Sequence, residues 1–198
     1  MLLAEKIIYL AINSSSNRIY SHLDQSTLRK ALYAAILLEL EFLRKVSITS
    51  YNLELLNTDR CERQILNEFL GEFASYGKKR SPKAWIEWFV EYLPDILYRL
   101  QMEMVNRNLL ESKSIQSDFG AIAQDSFHIT NEYQKSQLIL HIKHIFEKEA
   151  KLSSYDRCLI GLSSCCGLIH VYLDFENNPQ YQSIQEMIIS ALPILSIF

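Results

Sequence analysis

Leu2, Leu3, Ile7, Leu10 and Ala11 recur at helical spacing and end at the polar run Asn13-Ser14-Ser15-Ser16-Asn17, which predicts a short first helix followed by a loop. Asp24 or Ser26 is placed to cap a longer second helix whose inward stripe is Leu28, Leu32, Ala35, Ile36, Leu40 and Leu43. The period then changes from 3.6 to 2. Val46 and Ile48 alternate with polar neighbours, Ser50-Tyr51-Asn52 offers turn residues, and Leu53 and Leu55 alternate again, the pattern of a β-hairpin.

Helical spacing returns with Ile65, Phe69 and Phe73, in a helix expected to stop at Gly77. Ser81-Pro82 matches an N-cap followed by proline at the first helical position, and opens a helix through Trp85, Trp88, Phe89 and Tyr92 that Pro94 must interrupt. Ile96, Leu100, Met104 and Val105 carry a further amphipathic helix from Asp95 to Arg107. The irregular stretch after Leu109-Leu110 has room for a second short hairpin. Thr130 or Asn131 caps a helix facing inward through Leu138, Ile142, Ile145 and Phe146. Ser153 or Ser154 caps the next, with a buried face of Leu159, Leu162, Cys166, Ile169 and Leu173. Asn177-Asn178-Pro179 makes a turn, and Ile184, Ile188 and Leu192 lie on a final helix. The expected fold class is therefore mainly α: a single globular multi-helix domain over 1–198 with one or two short β-hairpins.

Composition narrows the function classes. With 48% hydrophobic and 22% charged residues and only 5 Gly and 4 Pro, the chain is neither disordered nor an all-β chain of many turns. A net charge of −3 gives no global basic field, so nucleic acid is not expected as a partner. Cys61, Cys158, Cys165 and Cys166 form no C-x-x-C pair and read as reduced thiols packed as small hydrophobes, in keeping with a cytoplasmic location. Met1 to Ile12 is broken by Glu5 and Lys6, and Met187 to Phe198 is shorter than the roughly 20 residues a span requires, so no transmembrane segment is expected.

The common nucleotide, zinc-protease and serine-hydrolase strings are missing, and neither catalysis nor a cofactor is expected. His141 and His144 lie three apart on a helix but lack the third ligand a metal needs, so they read as an exposed polar face. Lys78, Lys79, Arg80 and Lys83 surround the helix start at Ser81-Pro82, where free N–H groups favour an anion; the alternative is a solvated turn. In the stripe Trp85, Trp88, Phe89, Tyr92, the first and third face the core. Trp88 lies off the centre of that face, available to a membrane interface.

In order and spacing, the opening Leu-Leu-Ala-Glu helix, Ala34-Ala35-Ile36-Leu37-Leu38-Glu39-Leu40, the hairpin, Ile65-Leu66-Asn67-Glu68-Phe69-Leu70, Trp85-Ile86, Asn108-Leu109-Leu110 and Tyr155-Asp156-Arg157 resemble the Golgi phosphoprotein 3 family over nearly the whole chain. That resemblance implies a peripheral membrane adaptor that binds phosphatidylinositol 4-phosphate. The family positions that hold a tryptophan and three arginines align with Asp24, Tyr33, Pro94 and Leu97 here, and Arg60-Cys61-Glu62-Arg63 replaces its Pro-Thr-Gly-Asp turn. Arg29 and Lys30, a turn before Tyr33, and Arg99, just past Leu97, are the residues expected to rebuild a basic head-group pocket, with the Lys78-Lys79-Arg80 turn as an accessory. The opposing expectation is a protein-interaction scaffold of the same fold that has lost lipid recognition, with a protein partner or a homo-oligomer in place of the lipid.

Overall fold

The computed structural model describes residues 1–20, 22–76, 80–115, 124–148, 152–175, 178–192 and 194–195. At its centre stands α1 (Leu3–Ala11), in which every residue except Lys6 is buried. A helix apolar on all sides must be enclosed by others. Here α2 (Gln25–Phe42), α5 (Ile96–Asn106), α6 (Glu132–Lys148) and α7 (Ser154–Cys165) enclose it. α2 is the second central element: Ala31 through Leu40 is buried without interruption, and the helix touches α4 (Pro82–Tyr92) as well as α1, α5 and α7. The single inward stripe expected for α2 is therefore too narrow. Its last expected member, Leu43, falls beyond the helix end and is 47% exposed.

The caps follow the residues that flag them. The Asp24 carboxylate accepts from Ser26 N–H and, at 2.8 Å, from Thr27 N–H, opening α2. Ser81 Oγ accepts from Ala84 N–H at 3.2 Å with Pro82 in the first turn of α4. Asn131 Oδ1 accepts from Gln134 N–H at 3.2 Å ahead of α6, while Thr130 turns its hydroxyl to the Asn108 carbonyl. Ser153 Oγ accepts from Asp156 N–H at 3.0 Å ahead of α7. α3 (Gln64–Tyr76) buries Ile65, Phe69 and Phe73 as its spacing requires.

Three separate antiparallel ribbons complete the described residues: β1 (Ile12–Asn13) with β2 (Arg18–Ile19), β3 (Val46–Ile48) with β4 (Leu53–Leu55), and β5 (Leu110–Ile115) with β6 (Gln124–Ile129). The second ribbon pairs Val46 with Leu55 and Ile48 with Leu53, the register its alternation predicts. The first was expected to be a plain loop. Asn13 Oδ1 instead accepts from Ser15 and Ser16 N–H, and Asn17 adopts φ 52°, folding the polar run into a turn.

A further correction concerns the helix expected to run from Leu159 to Leu173. It is two helices, because α7 ends at Cys165 and α8 (Ile169–Tyr172) begins after a reversal. Gly167 sits at φ 73°, its N–H donating to the Ser164 carbonyl and Leu168 N–H to that of Ser163, which is the Schellman closure. Gly167→Ala has open space for a methyl group but places an L side chain in the left-handed region. A loss of about 1–2 kcal/mol in denaturant unfolding is expected, and Gly167→Asn should lose less. After α8 comes α9 (Pro179–Ser190), opened by proline as its turn predicts.

One contiguous core joins these elements. The four cysteines are free, with Cys158 and Cys166 buried. Burial pushes the Cys166 thiol up to about 12 and that of Cys165 to about 11, so these thiols pack rather than react.

Candidate functional site

Arg29 and Lys30 project from the second turn of α2, both half-buried, and Arg29 Nε donates to the Gln25 carbonyl at 3.3 Å. Tyr33 follows one turn later and has no exposed surface. Its ring stacks on Phe89 at 5.5 Å and 20°, and its hydroxyl donates to the Leu93 carbonyl, where α4 ends. That bond holds the middle of α2 against the corner between α4 and α5, which carries Pro94 and Leu97. Tyr33 is thus the floor of this corner, and its hydroxyl is already engaged.

Arg99 enters the same corner from the first turn of α5. The charges of Arg99 and Arg29 both act on the Tyr33 hydroxyl and oppose the burial that pushes its phenol well above the ordinary range, while Asp95 reinforces burial. Two of the three expected basic residues, Arg29 of α2 and Arg99 of α5, therefore border this corner. Arg99 is not free: its Nη2 pairs with Glu68 Oε2 of α3. Lys30 lies nearer the cap, where its charge helps hold the Asp24 carboxyl below the usual carboxylate range, behind the larger contributions of the Thr27 hydroxyl and N–H.

Of the accessory turn, Arg80 is not brought to this corner. Arg80 precedes α4, whereas Arg29 and Arg99 sit near its C-terminal end, and eleven helical residues separate the two by about 16 Å. Lys78 and Lys79 lie outside the described residues. The Arg80 guanidinium rests on the rings of Tyr76 at 4.0 Å and Trp85 at 5.5 Å, so it is engaged in cation–π contact. Trp85 and Phe89 face the core as expected. Trp88 is half-buried on the flank of α4 and stacks at 5.1 Å on Tyr92, which is 58% exposed.

Two polar constellations were not anticipated. Glu5, fully buried in α1, accepts from Leu2 N–H at 2.7 Å, from Arg63, and from Arg107 Nη1 at 2.9 Å, while Arg63 Nε also donates to Glu103 at 2.7 Å. Arg63 belongs to the stretch that replaces the family's turn, so this segment here serves an internal ion-pair network. In the second, His141 Nε2 lies 2.8 Å from Asp156 Oδ1, and Ser153 Oγ donates to Asp156 Oδ2 at 2.6 Å. The carboxylate stands between the other two, so the Ser153 hydroxyl is not held by the His141 imidazole as nucleophilic catalysis requires. Burial opposes ionisation of Asp156, but His141 and Ser153 together hold its carboxyl below the usual range. The pair ties α6 to α7.

Fold and site together define a mainly helical domain with one core and a basic corner. Among the described residues no helix is long and apolar enough to cross a membrane. The chain matches the Golgi phosphoprotein 3 (GPP34) family over residues 3–188, and it belongs to that family. A search of curated proteins returns no match.

Proposed function

We propose that the protein is a non-enzymatic peripheral adaptor of the cytoplasm that holds an anionic phospholipid head group, phosphatidylinositol 4-phosphate, at a membrane surface. The observation that carries this reading is that Arg29 of α2 and Arg99 of α5 both border the corner floored by Tyr33, where the Tyr33–Leu93 bond joins α2 to the end of α4. A phosphomonoester calls for clustered guanidinium donors, and a charge-assisted hydrogen bond contributes about 1.5–3 kcal/mol. In this reading Arg99 exchanges Glu68 for phosphate, Lys30 adds charge at the rim, and the Trp88–Tyr92 pair offers amphipathic rings to the interface. Arg80 serves as a second, weaker contact ahead of α4, with Lys78 and Lys79, which precede it in the sequence, adding to its charge.

The test is co-sedimentation with liposomes containing phosphatidylinositol 4-phosphate, beside phosphatidylserine and neutral controls, at low and physiological salt. Arg29→Ala/Lys30→Ala/Arg99→Ala is expected to weaken binding to the phosphoinositide vesicles by at least about tenfold, the equivalent of roughly 1.4 kcal/mol. Binding should also fall with salt, since exposed charges are screened within about 8 Å at physiological ionic strength. Wild-type protein that stays in the supernatant under every condition would overturn the reading.

A second reading, a protein-interaction scaffold, is favoured by the saturation of the corner: Tyr33 is buried, Arg99 is paired, and two exposed tyrosines, Tyr92 and Tyr98, border it. Capture of a protein or of a second copy through those rings would persist as salt is raised.

A further inference from the structure

A cleft of about 240 Å³ opens at the other end of α2, lined by Leu38, Glu41 and Phe42 of that helix, Ile48 of β3, Ser154, Arg157 and Cys158 of α7, and Ala191, Leu192 and Ile194 beyond α9. Its lining is mostly apolar and carries two charged side chains. The first is Glu41, whose Oε1 accepts from Ile48 N–H at 3.0 Å and whose carboxyl burial pushes upward. The second is Arg157, exposed at the rim, with Ser154, the first residue of α7, also in the lining. Among the described residues neither charge forms an ion pair, with the other or with any neighbour.

The two helices give the cleft a field of fixed direction. Glu41 is the penultimate residue of α2, where the helix macrodipole is negative, and Arg157 lies in the first turn of α7, where it is positive. A ligand that matches both charges carries a cation and an anion. One that matches the walls adds a compact apolar group. The volume suits such a molecule: a cavity of about 150 Å³ admits benzene, whereas drug-sized ligands occupy roughly 300 Å³ or more.

We propose that this cleft binds an apolar α-amino acid, with its ammonium on Glu41, its carboxylate on Arg157 at the start of α7, and its side chain against Leu38, Phe42, Ile48, Leu192 and Ile194. Cys158 contributes a neutral wall, since burial pushes its thiol up to about 12 and the nearby Glu41 charge adds to the rise. The proposal is independent of the lipid reading. Arg29 and Glu41 stand twelve residues apart on α2, about 18 Å along its axis.

The measurement is calorimetric titration of the full chain with L-leucine, beside 4-methylpentanoate, which lacks the ammonium, and 3-methylbutylamine, which lacks the carboxylate. Leucine is expected to bind at least about tenfold more tightly than either analogue, and Glu41→Gln and Arg157→Gln should each weaken it by a similar factor. Arg157 is exposed, so its variant folds even where replacement of Glu41 disturbs the β3 contact, and the analogue series needs no variant. Absence of binding by L-leucine and L-phenylalanine up to about 10 mM overturns the proposal. So does equal binding by a one-charge analogue, or leucine binding indifferent to Arg157→Gln.

Discussion

Glu5→Ala is expected to lower the midpoint of thermal unfolding by roughly 6–20 °C, because removing one member of a buried ion pair costs about 3–5 kcal/mol and each kcal/mol moves the midpoint by about 2–4 °C at this chain length. The carboxylate has no exposed surface and joins three chain regions: Leu2 at the start of α1, Arg63 ahead of α3 and Arg107 at the end of α5. Without it Arg63 keeps only Glu103 among the described residues, and the Leu2 N–H loses its acceptor. Arg107→Met should cost much less, since that side chain is 39% exposed and water can replace its partner. A Glu5→Ala protein that melts within 2 °C of wild type, on the order of 1 kcal/mol, would show that the network adds nothing net.

The same residue sets an acid limb. Burial alone pushes the Glu5 carboxyl up, but the Arg63 guanidinium, the Leu2 N–H and the Arg107 charge together hold it below the usual carboxylate range. Its folded pKa is thus depressed relative to the unfolded value of about 4.3. The stabilisation is fully present above that value and is lost as pH falls through the folded pKa. Wild-type stability should therefore decline steeply below about pH 4, and Glu5→Gln, which cannot titrate, should decline less steeply.

Much of the fold was legible because caps and turns are local. Asp24, Ser81-Pro82 and Ser153 bond to N–H groups two or three residues away, within the reach of a sequence window. Glu5 was not legible, since its arginines lie 58 and 102 residues further along, and a charge in an apolar stretch looks like an interruption. Gly167 shows the limit of periodicity: the apolar spacing from Leu159 to Leu173 continues through the reversal, so only the glycine marks it. In the candidate site, Arg29 precedes Tyr33 by one turn of the same helix, a spacing that a sequence window spans. Arg80 was grouped with these residues because the sequence puts its basic cluster at the start of α4 without showing that Arg29 and Arg99 lie near the other end. The Glu41–Arg157 cleft joins positions 116 residues apart in chain number and carries no local pattern at all.

Phe89→Ala is expected to match Glu5→Ala in size by a different route. The ring lies 4.6 Å from Phe69, 5.6 Å from Phe73, 5.5 Å from Trp85 and 5.3 Å from Trp88, and it stacks on Tyr33, so one side chain joins α2, α3 and α4. Truncating a buried phenylalanine costs about 3–5 kcal/mol through lost transfer energy and the cavity left behind. Tyr92→Ala, three residues on along the same helix but largely solvent-exposed, should change stability by no more than about 0.5 kcal/mol. The contrast also separates support from contact at the basic corner. Phe89 carries the floor on which Tyr33 rests, so its loss should loosen the Tyr33–Leu93 bond and weaken lipid binding together with stability. Tyr92→Ala should weaken lipid binding alone if the Trp88–Tyr92 pair enters the interface, and denaturant unfolding beside vesicle co-sedimentation of the two variants measures both effects.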